Sequence, residues 1–282
     1  MRRRDFIHAS ALAMAGMLAA PAIAEPAAKK RRIGIQLYTL KDVINDDPKG
    51  ILKQLASFGY TELETYGYQD GKLFGLTVAE FGNEVKALGM KTVSGHFGID
   101  LVRNDWERTV ADAKALGMSY ACVPWLGEED RTLDGIKAVC ESINKGAEVC
   151  KQYGMKIGYH NHDFEFKDAG NGKLLYDVML EELDPKLVSM EMDLYWVVVA
   201  GQDPLAYFKK YPKRFHQWHV KDRDKQMPDR NTEVGNGSID FKPIFAQAQL
   251  SGMKHFYVEQ EFFTRPSIES ARICIENLRK IL

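Results

Sequence analysis

The chain alternates between stretches with a helical pattern of apolar residues and short runs rich in β-branched and aromatic residues. The short runs predict strands, and they cover residues 32–37, 61–64, 91–94, 120–123, 156–159, 187–193, 215–220 and 255–258. The stretches between them predict helices, with clear examples over residues 48–58, 78–88 and 106–116. One strand and one helix therefore form a repeating unit along the chain.

A glycine followed by methionine or tyrosine separates the predicted helices from the predicted strands. Its five copies lie 30, 28, 37 and 98 residues apart, and they begin at Gly59, Gly89, Gly117, Gly154 and Gly252. Because glycine adopts the left-handed conformation that closes a helix, each copy predicts the end of a helix and the approach to a strand.

Eight strands separated by seven helices, with an eighth helix over residues 267–282, determine the predicted fold class. Such units imply parallel strands joined by right-handed crossovers, and eight of them close into a (β/α)8 TIM barrel. An open doubly wound sheet is the alternative, but no glycine-rich dinucleotide fingerprint follows any strand. We expect a single α/β barrel domain over residues 25–282.

The first 24 residues have the pattern of a signal segment. Three arginines precede an apolar run over residues 9–24, which ends in a small-x-small cleavage site. Arg3-Arg4-Asp5-Phe6-Ile7 resembles the twin-arginine export signal. A retained anchor and an amphipathic surface helix are the alternatives, but the run is short for a membrane span and contains Pro21. We expect cleavage, export to the periplasm or the medium, and no stable membrane anchor afterwards.

The charge balance and the cysteines exclude several classes of protein. The 282 residues contain 38 Lys and Arg against 39 Asp and Glu, whereas a protein that binds nucleic acid would have a clear basic excess. The four cysteines form no Cys-x-x-Cys pair, which argues against a zinc ribbon or a thioredoxin-like site. We expect buried thiols and no nucleic-acid partner.

Polar side chains cluster where the predicted strands end, which is the active-site end of a TIM barrel. The metal-ligand candidates from strands five to eight are Glu165, Asp193, His219 and Glu259. Carboxylates and an imidazole suit one divalent ion, with Mn²⁺ expected and Mg²⁺, Co²⁺ or Zn²⁺ as alternatives. Glu165 lies beyond its strand, so His160 or His162 could replace it as the first ligand.

These segments resemble the xylose-isomerase-like sugar phosphate isomerase/epimerase superfamily, in the branch with a Tyr-His-Asn-His motif. The matching segments are Tyr159-His-Asn-His-Asp-Phe-Glu-Phe166, Met192-Asp193, His219-Val-Lys-Asp222 and Val234-Gly-Asn-Gly-Ser-Ile-Asp-Phe241. In that family Glu, Asp, His and Glu from strands five to eight hold the metal, which implies the same four positions here. Many relatives place the first glutamate at the strand end, where this chain has Gly158.

The resemblance also implies roles for the residues around the metal. In epimerase relatives the two metal-bound glutamates are the acid–base pair, which here implies Glu165 and Glu259. His160 and His162 are further candidate proton carriers, with a ligand-orienting role as the alternative for His160. The implied substrate-binding residues are Gln36, Glu64, His96, Trp125 and Lys221.

The implied activity is that of a metal-dependent sugar isomerase or epimerase, which moves a proton next to a carbonyl through a metal-stabilised enediolate. The alternatives are a 3-keto-glycoside lyase or an inosose-type dehydratase with the same site, and a sugar-binding barrel without catalysis. An exported enzyme would rarely meet phosphorylated sugars, so we expect a non-phosphorylated sugar or keto-sugar. Gly235-Asn-Gly237 could mimic a phosphate loop, but the resemblance makes it the approach to the seventh helix. A homodimer is left open.

Overall fold

The computed structural model describes residues 32–170 and 172–282. The predicted signal segment over residues 1–24 and the predicted domain start at residue 25 lie outside the described residues. Within the described range, eight strands form one parallel sheet: β1 (Gly34–Gln36), β2 (Glu62–Thr65), β3 (Lys91–Gly95), β4 (Tyr120–Val123), β5 (Lys156–His160), β6 (Val188–Asp193), β7 (Phe215–Val220) and β8 (His255–Val258). Each predicted strand is present, with bounds that differ by at most two residues from the expected ones.

The sheet closes into a barrel. The strands pair in the order β3-β2-β1-β8-β7-β6-β5-β4, and a parallel bridge between His96 and Cys122 joins the two ends of this order. Across the same seam, the Ser119 amide donates to the Val93 carbonyl at 2.9 Å. The predicted (β/α)8 TIM barrel is therefore confirmed.

Helices connect consecutive strands around the outside of the barrel. They are α1 (Pro48–Phe58), α2 (Val78–Ala87), α3 (Ile99–Asn104), α4 (Trp106–Ala115), α5 (Leu133–Gln152), α6 (Leu175–Glu182), α7 (Leu194–Val199), α8 (Pro204–Lys210), α9 (Phe241–Ala246), α10 (Ala248–Ser251) and α11 (Ser267–Ile281). Helix α1 has the predicted bounds, because Asp47 caps its first turn and Gly59, with φ of 95°, ends it. The other four predicted glycines are left-handed as well, with φ between 66° and 88°. No helix within the described ranges combines the length and the apolar character needed to cross a membrane.

Alternation along the strands separates the barrel interior from the layer under the helices. In β6, Met190 and Met192 belong to the apolar core. Glu191 and Asp193, on the opposite face of the same strand, meet histidines from other strands inside the barrel. The barrel interior thus carries buried ionisable side chains, and these gather near the C-terminal ends of the strands.

The interior is closely packed where β4 meets β5. Cys122 lies against Gly158, so that a Cβ atom at position 158 would stand 2.4 Å from the Cys122 sulfur. A side chain at position 158 therefore requires the Cys122 thiol to move or to be replaced. All four cysteines are buried free thiols, as predicted.

Candidate active site

A cavity of about 700 Å³ lies at the C-terminal ends of the strands. Six aromatic side chains line it: Tyr38, Tyr66, Tyr68, Phe97, Trp125 and Trp196. Its ionisable lining consists, besides the tyrosines, of three histidines and three carboxylates: His96, His160, His162, Asp163, Glu259 and Glu261. Aromatic walls combined with grouped polar side chains suit a ligand that has both flat apolar faces and hydroxyl groups.

Four buried side chains from β5 to β8 form a cluster beside this cavity. His160, Asp193, His219 and Glu259 each bring one nitrogen or oxygen atom within 4.8 Å of those of the others. His219 Nδ1 lies 3.0 Å from Glu259 Oε2 and 3.9 Å from Asp193 Oδ2, and His160 Nε2 lies 4.0 Å from that same Asp193 oxygen. The barrel brings them together because every second side chain of each strand points inward.

This cluster fits a divalent cation. Asp193 Oδ2 is buried and has no hydrogen-bond partner among the described residues, whereas Oδ1 accepts from the Trp196 amide at 3.0 Å. A buried carboxylate oxygen without a partner is costly unless a positive charge compensates it. Burial raises the pKa of Asp193 to about 7, while Lys221 opposes the rise and Glu259 adds to it. Two imidazoles and two carboxylates form a ligand set that zinc, manganese or cobalt can accept.

Glu165, expected from the sequence as the first ligand, does not join the cluster. Its carboxylate accepts hydrogen bonds from the Tyr159 hydroxyl at 2.6 Å and the His162 amide at 2.9 Å. It belongs to none of the metal-capable groups found among the described residues. Burial raises the pKa of Glu165 to about 8, although these hydrogen bonds lower it. Glu165 thus lies outside the cluster, whereas His160, the alternative first ligand, lies in it with Asp193, His219 and Glu259. Which of the two binds a metal stays a prediction.

Asn161, between the two histidines of the motif, ties this segment to β6. Its side-chain oxygen accepts from the Asp193 amide at 3.1 Å, and its side-chain nitrogen donates to the Asp193 carbonyl at 3.4 Å. Asn161 thus holds the backbone of one candidate ligand against that of another, His160. The sequence does not indicate this role of Asn161, because a hydrogen bond to a distant backbone leaves no pattern in a single sequence.

A second layer of ionisable residues lies next to the cluster. His96 Nε2 lies 2.8 Å from Glu191 Oε1, and His219 Nε2 lies 2.5 Å from Glu64 Oε2. Burial, with a further contribution from Glu191, raises the pKa of Glu64 to about 7. Burial would also raise the pKa of Glu191, but the neighbouring histidines hold it well below its usual value. Sequence reasoning missed Glu191, although it lies two positions before Asp193 and so shares the inner face of β6.

Lys221, expected to touch the substrate, is fully buried beside the cluster. Its ammonium group donates to Glu259 Oε2 at 3.2 Å and to Glu261, and lies 3.8 Å from Asp193 Oδ2. Burial would raise the pKa of Glu259, but Lys221 and His219 hold it well below its usual value. Lys221 therefore keeps Glu259 ionised. The second carboxylate that pairs with this lysine is Glu261, whose role the sequence does not indicate either.

The other predicted site residues lie in the cavity wall or beneath it. His96 and Trp125 line the cavity, whereas Gln36 is fully buried and donates to a Glu64 oxygen at 2.8 Å. His160 and His162 also line the cavity. Burial lowers the pKa of His160 to about 3 and that of His162 well below its usual value, so both rings are neutral near pH 7.

Comparison with known proteins identifies relatives of the chain. A family model described as a xylose isomerase-like TIM barrel matches residues 52–281. Inosose dehydratase from Geobacillus kaustophilus (strain HTA426) is 24% identical over 254 residues, which cover 72% of this chain and 79% of that protein. Inosose dehydratase from Lacticaseibacillus casei is 29% identical over 199 residues, and the chain spans only 53% of its length.

Solved structures share the architecture. A sugar phosphate isomerase/epimerase from Parabacteroides distasonis superposes with a TM-score of 0.80 and 28% identity, over 90% of this chain and 96% of that one. The IOLI protein, solved with a bound zinc atom, gives a TM-score of 0.72 at 12% identity, over 89% of this chain and 98% of that one. The second likeness is one of fold alone.

Proposed function

The chain belongs to the xylose isomerase-like TIM barrel family of enzymes, and on that premise we propose that it is a dehydratase of uncharged cyclic keto-polyols. In this reaction a C–H bond beside the carbonyl breaks, a carbon–carbon double bond forms, and a hydroxyl group one carbon further on leaves as water. The inosose dehydratase relatives support this activity.

The observation that carries the proposal is the buried cluster beside the aromatic cavity, with the unpartnered oxygen of Asp193 at its centre. A divalent ion held by His160, Asp193, His219 and Glu259 would supply a Lewis acid for a substrate carbonyl. Mn²⁺ is the ion we propose, because the set combines carboxylates with imidazoles.

Two residues of the cavity wall lie in surroundings that favour the protonation states needed for an elimination. Glu259 lines the cavity and is held ionised by Lys221, so it can accept the proton from carbon. His96 also lines the cavity. Burial would lower the pKa of His96, but Glu64 and Glu191 raise it, which favours a protonated ring that can donate to the leaving hydroxyl group.

The charges around the cavity favour a substrate without a phosphate. Among the described residues that line it, none is lysine or arginine. The amides of Gly235 and Gly237, in the loop that could mimic a phosphate site, donate to the carboxylate of Asp222 at 2.9 and 3.0 Å. The Asp222 carboxylate thus accepts the amide hydrogen bonds that a phosphate would need.

Isomerisation or epimerisation of a sugar is the second candidate. It begins with removal of the same proton, but that proton returns to carbon and no C–O bond breaks. The similarity to the Parabacteroides distasonis protein supports this alternative.

The test combines metal content with turnover. We expect about one equivalent of a divalent metal per chain by elemental mass spectrometry, and its loss in Asp193→Ala. With inosose in D2O, the metal-loaded protein should exchange the proton beside the carbonyl and release an unsaturated product that absorbs in the ultraviolet. Exchange with return to a sugar and no such product would instead establish the isomerase. If the protein takes up no metal and exchanges no proton, the remaining interpretation is a sugar-binding barrel without catalysis.

A further inference from the structure

Glu191 lies next to the metal-capable cluster, with three histidine rings around one of its carboxylate oxygens. Its Oε1 atom lies 2.8 Å from His96 Nε2, 3.2 Å from His160 Nδ1 and 3.2 Å from His219 Nε2. The side chain is fully buried. Burial would raise the pKa of this carboxyl group, but the histidines hold it well below its usual value. A single buried carboxylate thus contacts three imidazole rings, which come from different parts of the chain.

Two of these rings are candidate metal ligands, and each presents its other nitrogen atom to the cluster. His160 Nε2 lies 4.0 Å from Asp193 Oδ2, and His219 Nδ1 lies 3.9 Å from the same oxygen. The atoms that face Glu191 are His160 Nδ1 and His219 Nε2. An imidazole that binds a metal through one nitrogen commonly donates the hydrogen of the other to a carboxylate. Glu191 lies where such a carboxylate is needed for both rings.

The register of the sheet produces this arrangement. His160 on β5 is paired with Glu191 on β6, and Asp193, two residues further along β6, is paired with His219 on β7. Because side chains two positions apart on a strand point to the same face, Glu191 and Asp193 both enter the barrel, one layer apart. Asp193 therefore approaches the two rings from the side of the strand ends, and Glu191 approaches them from the layer beneath.

The two rings depend on Glu191 to different degrees. His160 Nδ1 is buried and forms no hydrogen bond with any described residue, although Glu191 Oε1 lies at hydrogen-bond distance from it. Only the orientation of the ring falls short, so a rotation of the ring would complete the bond. His219 Nε2 has a second carboxylate, because Glu64 Oε2 lies 2.5 Å away. Loss of the charge of Glu191 should therefore affect His160 more than His219.

We propose that Glu191 is a positioning residue, which orients the two candidate histidine ligands so that His160 presents Nε2 and His219 presents Nδ1 to the bound ion. Glu191 itself stays outside the coordination sphere, because it contacts the nitrogen atoms that face away from the cluster. The inference rests on the proposed function for the presence of a divalent ion and is independent of the substrate.

The experiment compares two buried glutamates that each lie against histidine. Glu191→Gln keeps the size of the side chain and removes its charge. Glu62→Gln is the matched control, because Glu62 is also buried and its Oε2 lies 2.7 Å from His255 Nδ1, at the other end of the strands. Competition with a fluorescent chelator gives the affinity for Co²⁺. We expect Glu191→Gln to weaken it by about 10–100-fold and Glu62→Gln by less than about twofold.

Spectroscopy separates positioning from a general loss of stability. The visible absorption bands of bound Co²⁺ depend on the ligand geometry, so at saturation they should shift in Glu191→Gln and stay unchanged in Glu62→Gln. NMR of isotope-labelled histidine rings in the zinc-loaded wild type should place the metal on His160 Nε2 and His219 Nδ1. This assignment needs no variant, so it tests the proposal even where a variant does not fold.

Three results would overturn the positioning role: equal affinities and spectra in the two variants, metal bound to His160 Nδ1, or a second metal equivalent that is lost in Glu191→Gln. The last result would make Glu191 a ligand. Expected metal binding without proton exchange on inosose would retain the positioning role and overturn the dehydratase. Proton exchange by the wild type, with equal affinities in the two variants, would do the reverse. A wild type that binds no Co²⁺ would overturn both.

Discussion

Glu165 and Glu259 are both fully buried glutamates near the same cavity, but they lie in opposite electrostatic surroundings. Glu165 accepts hydrogen bonds from a neutral hydroxyl and a backbone amide, and burial raises its pKa to about 8. Glu259 meets Lys221 and His219, which overcome burial and hold its pKa well below the usual value. The first environment favours a neutral carboxyl group that braces a loop, and the second favours a carboxylate that can bind a cation or take up a proton.

The comparison shows that residue type and burial do not decide the role of a carboxyl group. What decides is whether the partners carry charge. The sequence resemblance assigned both glutamates to one acid–base pair, whereas the structure surrounds only Glu259 with cationic partners.

The largest difference should appear in activity. Replacing Glu259 with glutamine removes a proton acceptor and a candidate ligand, so proton exchange with inosose should fall by about a thousand-fold, within the range for a lost acid–base group. Glu165→Gln preserves the shape of a neutral carboxyl group and should lower the exchange rate by less than about tenfold. Equal losses in the two variants, measured with metal-loaded protein, would remove the distinction between them.

The next largest effect should appear in the free energy of unfolding, and here Glu165 is the more sensitive position. Glu165→Ala leaves the Tyr159 hydroxyl and the His162 amide without partners and opens a cavity, at a cost of about 3 kcal/mol in the free energy of unfolding. Glu165→Gln retains hydrogen-bonding groups and should cost about 1 kcal/mol. Urea denaturation in the presence of a chelator measures both. An alanine variant as stable as the wild type would show that the hydrogen bonds of Glu165 do not stabilise the fold.

A variant of Asn161 tests whether the hydrogen bonds of the segment after β5 support the metal-capable cluster. Asn161→Ala removes both hydrogen bonds to the Asp193 backbone and should weaken metal affinity by about 10–100-fold, as for other residues that orient ligands. Asn144→Ala is the matched control, because Asn144 makes the same pair of bonds, to the Glu182 carbonyl and the Asp184 amide, outside the cavity lining. Competition with a fluorescent chelator gives the affinities. A similar loss in the control would refute a specific role for Asn161.

The last expected effect is a pH dependence of the stability. Because the pKa of Glu165 is raised from 4.5 to about 8 on folding, the unfolded chain releases this proton first as the pH rises. Its contribution to stability is therefore fully present below pH 4.5 and is lost as the pH rises to about 8. Glu165→Gln cannot titrate, so the stability of the wild type relative to this variant should decline over that interval. A constant difference between the two proteins, both measured with chelator, would contradict the raised pKa.

The sequence predicted the barrel because its signals are local and repeated. Gly59 ends a helix for reasons contained in its own conformation, and each strand follows from a few apolar residues. The ends of the strands could then be placed on one rim, and in the structure Asp193, His219 and Glu259 lie together there.

The rest of the site depends on contacts that no local pattern encodes. Whether Glu165 or His160 points into the barrel depends on how the chain turns after β5. The pairing of Glu64 with His219 joins positions 155 residues apart. Lys221 is buried against two carboxylates of the loop that follows β8, Glu259 and Glu261, and a single sequence does not show that they converge on it.

The contact between Gly158 and Cys122 also constrains how this barrel could change over evolutionary time. A glutamate at position 158 would place its Cβ atom 2.4 Å from the Cys122 sulfur, so that the thiol would have to move. A smaller residue at position 122 would relieve this contact, in a change that by itself brings no new ligand. A new ligand at position 158 is therefore coupled to position 122, because the Cys122 thiol must either turn away or be replaced before a side chain fits there.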